Sequence, residues 1–593
     1  MGGGLEWNLD MARPKSSTSK PASYRSSRYK PDPFPNLIRP ATREETMPVA
    51  LAATVLAFVA LLVCVSKGYL LLYGDAVAHL GIARRIIDTR NPGLEQFGGV
   101  WLPLPHLVML PFVQRIDWWQ NGLAGAFPSM LFYMLGVVGF YRLCRRLLVP
   151  RWAFAATCFY ALNPNLLYLA TTAMTEPLFL ALLIWITLLT LETVAAIRAK
   201  QAKLGGKLIV IGLLILAAVY TRYDGWILGA VVWLILTWQL SRDRDLLRRN
   251  MGAFALFTLI TIFGPISWLV FNAHYFHDPL DFMRGPYSAY AIDLRTKAPG
   301  AQHHRGWHNP GWSLLFYTRT AQVDSTAWEF GFVTMTAALA GLVLVVRRAA
   351  AFMREAAMVT RDGALHGLLG ESQPYGREVL MTLLLWLPLP FYMYSISWGS
   401  VPIFIPNLWP HAYYNSRYGM ELLPALALFS VFALAALEAR LTATKPLVAR
   451  LLQPITLALV AVSAVVMTYK IPLVLAEALN NSKTRIPFEE SIARELGTFQ
   501  AGVPILMYES DHVSALQMAK IPLKQTINET DYDSFHAALA APAQHAAYVV
   551  AIGDDQVAKA VAEHPENLNE LVVLCTYGQS CARVYQSEIY KPQ

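Results

Sequence analysis

Residues 47–66, with the sequence MPVALAATVLAFVALLVCVS, form an apolar run that carries no charged side chain. A helical run near 20 residues is long enough to cross a hydrocarbon core of roughly 30 Å. The run begins too far into the chain, and lacks the small-residue cleavage site, to be a signal peptide, so we interpret it as a membrane anchor. Similar runs recur along most of the chain, which predicts an all-α polytopic membrane protein.

The composition supports this fold class. Hydrophobic residues make up 55% of the chain and charged residues 15%, and the mean hydropathy is +0.37. A soluble domain typically carries about 25% charged residues. The formal net charge of +9 is compatible with nucleic-acid binding. However, the basic residues lie mainly between apolar runs, so membrane topology explains them better and we expect no nucleic-acid partner.

Eleven membrane spans are predicted, and positive charge follows the even-numbered ones. The spans are 47–66, 121–143, 152–170, 175–196, 207–221, 225–240, 251–273, 328–346, 378–397, 416–437 and 451–473. Cytoplasmic loops of membrane proteins carry an excess of Lys and Arg. We therefore expect the N-terminus to be cytoplasmic, and the C-terminal region and the long loops 67–120 and 274–327 to lie outside.

Three regions follow from this pattern. Residues 1–46, rich in Ser, Pro, Lys and Arg, predict a disordered basic cytoplasmic tail, and residues 47–473 predict the transmembrane domain. Residues 474–593 predict a small extracytoplasmic α/β domain with buried strands at 504–508, 547–552 and 571–575 and helices near 511–520, 533–541 and 554–563. We expect this domain to support or gate the membrane part. Its Cys575 and Cys581 flank a predicted turn, and a disulfide or two free thiols both fit the sequence.

Asp75 is the most informative ionisable residue, because it opens the first outward-facing segment directly after the first span. Residues 76–89 predict an amphipathic helix along the outer membrane face, with Arg84 and Arg85 near lipid phosphates. A helix N-cap explains an Asp at this position, but it does not explain why the cap lies in an outer cavity. We therefore interpret Asp75 as catalytic, with His79 one helical turn further along to orient it or to contact substrate.

Other polar residues are predicted on the same outer side, and each has a simpler interpretation. Glu176, before Pro177, is compatible with helix capping; Arg222 and Asp224 are able to pair with each other; Arg417 is able to pair with Glu421. A guanidinium is also the natural ligand for a phosphate at a membrane surface. The loop residues His303, His304 and His308 have a spacing that permits metal binding, but a Gly-interrupted polar loop is a poor preorganised site.

The chain resembles the integral-membrane glycosyltransferases of the GT-C superfamily, and most closely the bacterial branch of protein O-mannosyltransferases and lipid A aminoarabinose transferases. The resemblance covers about residues 47–440. It is carried by Tyr73-Gly-Asp75 with Ala83-Arg-Arg85, Thr175-Glu-Pro-Leu178, Thr221-Arg-Tyr-Asp-Gly225, and Ser416-Arg-Tyr-Gly419 with Leu422-Leu-Pro-Ala-Leu426. Many relatives carry two adjacent acids in the first loop, whereas Ala76 follows Asp75 here.

The resemblance implies transfer of a hexosyl or pentosyl group from a polyprenyl-phosphate donor to a hydroxyl of a lipid, glycan or protein acceptor. The reaction would occur at the outer face of a bacterial inner membrane, among membrane lipids, as part of cell-envelope glycosylation. Asp75 and Glu176 are the expected catalytic residues. The expected substrate-binding residues are His79, Arg84, His106, Arg222, Asp224 and Arg417. No metal ligand is assigned, and a divalent metal is left open because relatives differ.

Two other classes of function remain as alternatives. A lipid or sugar transporter or flippase would show broken spans or repeated halves with polar residues at mid-membrane. The sequence shows no clear repeat, and its acids cluster at one face. A non-catalytic membrane assembly protein would use its outer domain to recruit partners and would show no transfer activity.

Overall fold

The structure is a computed structural model that describes residues 40–296, 303–327, 329–361 and 378–591. The predicted basic tail of residues 1–46 lies almost entirely outside these residues. The membrane part is helical, and a small sheet follows it near the C-terminus. The predicted fold class is therefore confirmed.

Nine helical segments in the described ranges are long and apolar enough to cross a membrane. They are Arg43–Ser66, Leu123–Cys144, Glu176–Arg198, Asp224–Ser241, Met251–Phe276, Phe330–Ala350, Glu378–Trp398, Ser416–Leu441 and Pro446–Leu496. Each coincides with a predicted span. The last one contains an apolar helix, Pro446–Tyr469, and a second, more polar helix, Leu473–Leu496, which we call the linker helix.

The other two predicted spans are helical but shorter. Span 207–221 is the helix Gly205–Val219. Span 152–170 is broken into Pro150–Ala161 and Pro164–Leu169. The break has a local cause, because Pro164 has no N–H to continue the first helix. Asn163 caps the second helix, its side chain accepting hydrogen bonds from the backbone N–H groups of Asn165 (3.0 Å) and Leu166 (3.2 Å).

The two long loops are themselves largely helical. The first holds the helix Gly74–Arg85, which we call the Asp75 helix, followed by the 3₁₀ helix Leu94–Phe97 and the helices Leu104–Val113 and Ile116–Asn121. The second holds Asp281–Arg284, Ala289–Thr296 and Pro310–Ser325. A further short helix, Arg244–Arg249, connects two spans on the opposite side.

Within two of the candidate spans the backbone changes helix type. Residues Glu378–Trp386 form a 3₁₀ helix that continues into the α-helix Pro388–Trp398. Residues Ser416–Leu422 likewise form a 3₁₀ helix, which we call the Arg417 turn, before the α-helix Leu423–Leu441. Asn415 precedes the Arg417 turn with φ of 54°, so the chain bends sharply just before Arg417.

The C-terminal sheet has five strands: β1 (Ile505–Met507), β2 (Thr526–Ile527), β3 (Tyr548–Ile552), β4 (Leu568–Leu574) and β5 (Ala582–Ser587). Their order is β2-β1-β3-β5-β4. β1 is parallel to β2 and β3, whereas β5 is antiparallel to β3 and β4. Its helices are Val513–Ala519, Asp533–Ala540, Pro542–His545 and Gln556–Glu563, with 3₁₀ helices at Leu523–Gln525 and Glu529–Asp531.

The three predicted strands are present as β1, β3 and β4, but β4 is not buried as predicted. β4 was predicted to be buried, but it is an edge strand that pairs only with β5. Leu571 and Val573 are therefore exposed, at 42% and 41%. β2 and β5 were not predicted, since the first is very short and the second lacks a continuous apolar run. Cys575 and Cys581, in the hairpin between β4 and β5, form a disulfide.

Candidate active site

Asp75 pairs with Arg417 across 342 positions of sequence. Asp75 lies in the first turn of the Asp75 helix, and the N-cap position is occupied by Tyr73. The carboxylate of Asp75 accepts a hydrogen bond from Arg417 Nη2 at 2.5 Å. The side chain is thus engaged by a distant guanidinium and does not act as an N-cap.

Arg417 contacts carboxylates from three separate elements. Besides Asp75, its Nε lies 3.2 Å from Glu176 Oε1, and its Nη1 lies 3.9 Å from Glu477 Oε1. Its guanidinium carbon is also 4.7 Å from the centre of the Tyr418 ring, within range of a cation–π contact. Arg417 is buried, so these partners fix its orientation.

Arg222 forms the second half of the cluster and shares Glu176 with Arg417. Its Nη1 is 3.3 Å from Glu176 Oε1, its Nε is 3.5 Å from Asp224 Oδ2, and its Nη2 is 3.0 Å from Glu421 Oε1. The Arg222–Asp224 pairing expected from the sequence is therefore present, but as one of three. Burial lowers the pKa of Arg222, yet Glu421 and the other acids raise it well above its usual value, so the guanidinium stays charged.

Tyr392 connects Arg222 to Glu421. Its hydroxyl accepts a hydrogen bond from Arg222 Nη2 at 2.6 Å and donates one to Glu421 Oε1 at 2.7 Å. The sequence left open a pairing between Arg417 and Glu421. In the structure Glu421 faces Arg222 instead, because the 3₁₀ geometry of the Arg417 turn rotates the two side chains differently from an α-helix.

The cluster has more carboxyl groups than guanidinium groups. Five carboxyl groups, those of Asp75, Glu176, Asp224, Glu421 and Glu477, face the two guanidinium groups of Arg222 and Arg417. The Asp75 side chain is 41% exposed, whereas the other four acids are buried. Asp75 is thus the carboxylate of this cluster that a molecule arriving from the surface reaches first.

His79 and His106 form a buried pair beside Asp75. His79 Nδ1 lies 2.9 Å from His106 Nε2, and the Trp101 ring stacks on His79 with the ring centres 4.3 Å apart. Burial lowers the pKa of His79 to about 4, against the opposing field of Asp75, so His79 is neutral at physiological pH. One imidazole donates and the other accepts, which couples their tautomers.

The structure does not bring Arg84 to this cluster. Arg84 follows Asp75 by nine residues, which places it on the opposite face of the same helix at 100° per residue. Its guanidinium bonds the Val113 carbonyl at 2.7 Å and Asp88 at 2.9 Å. Its role toward substrate therefore stays a prediction, and the contacts described here hold the first loop together.

The histidines of the second loop lie around the Trp307 ring. Among the described residues, which include His303, His304 and His308, no group of three or more His, Cys, Asp or Glu side chains is arranged to hold a metal ion. His303 and His308 instead stack on the Trp307 ring, with ring centres 4.3 Å and 4.8 Å apart.

Glu477 and Tyr392 were not identified from the sequence. Glu477 lies on the linker helix, only a few residues after the last apolar span, in the apolar context Val474-Leu-Ala-Glu477. The rule that singled out Asp75, an acid at a membrane edge, applies equally to Glu477. No local signal distinguishes Tyr392 from the other tyrosines of the chain.

Comparisons with known proteins agree with this fold. Residues 111–268, less than half of the chain, match the family model of dolichyl-phosphate-mannose-protein mannosyltransferases. None of the curated proteins matches the sequence significantly. Together with the fold described next, the family match confirms the resemblance to the GT-C superfamily.

Among solved structures, the chain is similar to ArnT from Cupriavidus metallidurans bound to undecaprenyl phosphate, with a TM-score of 0.52 and 15% identity over 93% of this chain and all of that one. The apo form of that ArnT gives a TM-score of 0.48 and 16% identity over 92% and 98%. An oligosaccharyltransferase from Archaeoglobus fulgidus, tethered to an acceptor peptide, gives a TM-score of 0.41 and 10% identity, over 86% of this chain and 69% of that one. The first of these comparisons establishes a shared fold.

Proposed function

We propose that this GT-C-fold protein is a glycosyltransferase that moves a sugar from a polyprenyl-phosphate carrier to an acceptor hydroxyl at the outer face of the membrane. The observation that carries the proposal is the close pair of Asp75, an exposed carboxylate, and Arg417, a buried guanidinium. Such a pair offers a base for a hydroxyl and a cation for a phosphate within one cluster of side chains. The family match at residues 111–268 and the likeness to an undecaprenyl-phosphate-bound ArnT support a lipid-linked donor.

Asp75 acts as the general base in this proposal. A hydroxyl is a weak nucleophile at neutral pH, and a positioned carboxylate accepts its proton as the new bond forms. The acceptor oxygen bonds to the anomeric carbon while the bond from that carbon to the phosphate oxygen breaks. The electron pair of the broken bond stays on the phosphate, and the proton passes to Asp75. Attack opposite the leaving phosphate inverts the anomeric centre.

Arg417 stabilises the leaving phosphate, with Arg222 beside it. Negative charge grows on the phosphate in the transition state, and a preorganised cation in a water-poor site lowers that barrier. Arg417 is already paired with Asp75 in the structure. The arriving phosphate therefore exchanges with Asp75 on Arg417, and the exchange releases the carboxylate for the acceptor.

Glu176 has a supporting role in this scheme. Its carboxylate is fully buried and touches both arginines, at 3.2 Å and 3.3 Å. Because a buried carboxylate cannot readily meet an acceptor, we assign Glu176 to holding the two guanidinium groups at a fixed separation. Asp224 and Glu421 complete this arrangement around Arg222.

The experiment compares Asp75→Asn with the unchanged protein in nanodiscs. Each is incubated with a panel of polyprenyl-phosphate sugars, and free polyprenyl phosphate and sugar product are followed by mass spectrometry. Asp117→Asn is the matched control, because Asp117 is an exposed acid of the same loop outside the cluster. We expect turnover to fall at least about 100-fold in Asp75→Asn, the lower range of general-base contributions, and to stay unchanged in the control.

Other results would contradict the proposed role of Asp75 or favour another class of function. Unchanged turnover in Asp75→Asn would exclude Asp75 as the base. Movement of donor across sealed vesicles without a covalent product would favour a transporter. A stable complex with partner proteins, without transfer in any protein tested, would favour an assembly role.

A further inference from the structure

The linker helix Leu473–Leu496 touches the chain on the Asp75 side of the ion pair. Arg485 Nη2 donates hydrogen bonds to the carbonyls of Leu71 (2.9 Å) and Leu72 (3.1 Å), just before the Asp75 helix. The Tyr73 hydroxyl donates in turn to the Val474 carbonyl at 3.1 Å. The backbone that leads into Asp75 is therefore tied to the linker helix at two points.

The same helix also holds the Arg417 side. The buried carboxylate of Glu477 accepts hydrogen bonds from the backbone N–H groups of Asn415 (2.9 Å) and Ser416 (2.8 Å) and from the Ser416 hydroxyl. These groups lie where the chain bends sharply into the Arg417 turn. Glu477 thus fixes the direction from which Arg417 enters the site, and it lies 3.9 Å from the guanidinium itself.

The middle and the far end of the linker helix are attached to the C-terminal sheet domain. Glu489 accepts a hydrogen bond from the Ala515 N–H at 3.0 Å and contacts His512 Nδ1 at 2.7 Å. Thr484 Oγ1 accepts a bond from Gln579 Nε2 at 2.8 Å, in the disulfide-closed hairpin. The helix is therefore a direct connection between that domain and both halves of the ion pair.

We propose that Glu477 and Arg485 are positioning residues that set the separation of Asp75 and Arg417. They act through the two backbone segments that they hold, and neither needs to touch substrate. The two residues are eight positions apart, which is about 12 Å along a continuous helix, so the helix acts as a rigid spacer. This inference rests on the proposed function. The separation of Asp75 and Arg417 matters because the donor phosphate is proposed to replace the Asp75 carboxylate on Arg417.

The test compares Glu477→Gln and Arg485→Met with Glu489→Gln. Glu489 is the matched control because it is also a buried carboxylate of the linker helix that accepts a backbone hydrogen bond, but on the side of the sheet domain. We expect the first two variants to lower kcat about 10-fold or more, as small displacements in a catalytic site do. We also expect KM to change less than kcat, since the two residues position the catalytic pair and neither touches substrate.

Arg485→Lys restores part of the activity, because an ammonium group still donates to the two carbonyls. Glu489→Gln should lower the thermal midpoint without lowering kcat. An unchanged kcat in Glu477→Gln and Arg485→Met, with only a lower thermal midpoint, would reduce both residues to a structural role and overturn the proposal.

A second measurement does not depend on turnover. Spin labels at Ile87→Cys, just after the Asp75 helix, and at Tyr414→Cys, just before the Arg417 turn, report the distance between these two elements, and both side chains are exposed. We expect Glu477→Gln and Arg485→Met to shift or broaden the distance distribution, and Glu489→Gln to leave it unchanged. Unchanged distributions in all three variants would refute the positioning role. An inactive wild type would instead refute the proposed function, while the distances would still decide the positioning.

Discussion

At the scale of single residues, the cluster depends on hydrogen bonds between buried charged groups. Two guanidinium groups are held among five carboxyl groups, and Glu176 and Tyr392 each contact two charged partners. A buried charge that loses a partner is left with the cost of its desolvation. Substitutions inside the cluster therefore test which hydrogen bonds and ion pairs stabilise each buried charge.

Tyr392→Phe removes the hydroxyl that lies between Arg222 and Glu421. We expect the free energy of unfolding to fall by about 1–3 kcal/mol, because two charge-assisted hydrogen bonds are lost while the direct ion pair at 3.0 Å remains. Turnover should fall with it, since Arg222 becomes less well oriented. Thermal midpoints and turnover in one detergent measure both effects.

Tyr394→Phe is the control for this change, because Tyr394 lies on the same helix but is 58% exposed. It should behave like the unchanged protein. Equal midpoints for Tyr392→Phe and Tyr394→Phe would show that the Tyr392 hydroxyl contributes no stability.

Single residues also show which parts of the site the sequence predicts and which parts it does not. Asp75, Glu176, Arg222, Asp224 and Arg417 were identified because each stands next to a predicted span on one side of the membrane. Apart from the Arg222–Asp224 pair, their partners were not identified, since the Asp75–Arg417 pair joins positions 342 residues apart. Local spacing suggested Glu421 as the partner of Arg417, and only the three-dimensional packing assigns it to Arg222.

At the scale of secondary-structure elements, one glycine lets two elements approach closely. Gly419, in the Arg417 turn, packs against the helix Pro310–Ser325. A Cβ at this position would collide with Asp324 Oδ2 and lie 2.9 Å from the Ala321 nitrogen. The Arg417 turn can therefore pack this closely against Pro310–Ser325 only because residue 419 has no side-chain carbon.

Gly419→Ala should displace the Arg417 turn and lower turnover about 10-fold or more, because Arg417 is two residues away. Overpacking of this kind typically costs about 1–3 kcal/mol of stability. Gly206→Ala is the control, since a Cβ at Gly206 meets no atom within 4 Å. It should be neutral or slightly stabilising as a helix substitution. Full activity in Gly419→Ala would show that the turn tolerates the shift.

Helix boundaries were predictable wherever apolar length and proline act locally. The spans were located to within a few residues, but the predicted span 152–170 missed the break that Asn163-Pro164 marks. The 3₁₀ geometry of the Arg417 turn was not predictable, because it follows from packing against Pro310–Ser325. The exposure of β4 likewise depends on strand order, which its own residues do not encode.

At the scale of the whole molecule, the C-terminal domain packs on the first loop near a buried acid, Glu509. Its carboxylate accepts hydrogen bonds from Thr526 Oγ1 (3.0 Å) and Asn528 Nδ2 (2.9 Å). Burial and the neighbouring Glu529 raise the pKa of Glu509 to about 8, although Arg85 of the Asp75 helix opposes the shift. The folded domain therefore retains a proton that the unfolded chain releases near pH 4.

This proton makes stability depend on pH. The raised pKa contributes stability that is fully present below about pH 4 and is lost as the pH rises through about 8. We expect the thermal midpoint of this domain to fall between pH 5 and pH 8.5, as far as Glu509 determines it, and Glu509→Gln to flatten the fall. Glu570→Gln, which changes an exposed acid, should keep the wild-type slope. An identical slope in Glu509→Gln would assign the effect to another group.

The orientation in the membrane is a separate prediction. Positive charge after the even-numbered spans predicts that the Asp75–Arg417 cluster faces outward. A membrane-impermeant maleimide added to intact cells should label Asp117→Cys, in the first loop, and should label Lys203→Cys only after permeabilisation. Both positions are exposed. Labelling of Lys203→Cys in intact cells would reverse the proposed topology.

Because Arg417 and Asp75 pair with each other, an acceptor that arrives before the donor meets no free base. Under the proposed chemistry the reaction is then compulsory in order: the sugar-loaded carrier enters first, the acceptor follows, and the spent carrier leaves last. The spent carrier competes with its loaded form for one resting state. Under this order, accumulated spent carrier slows glycosylation, and additional acceptor does not relieve that competition.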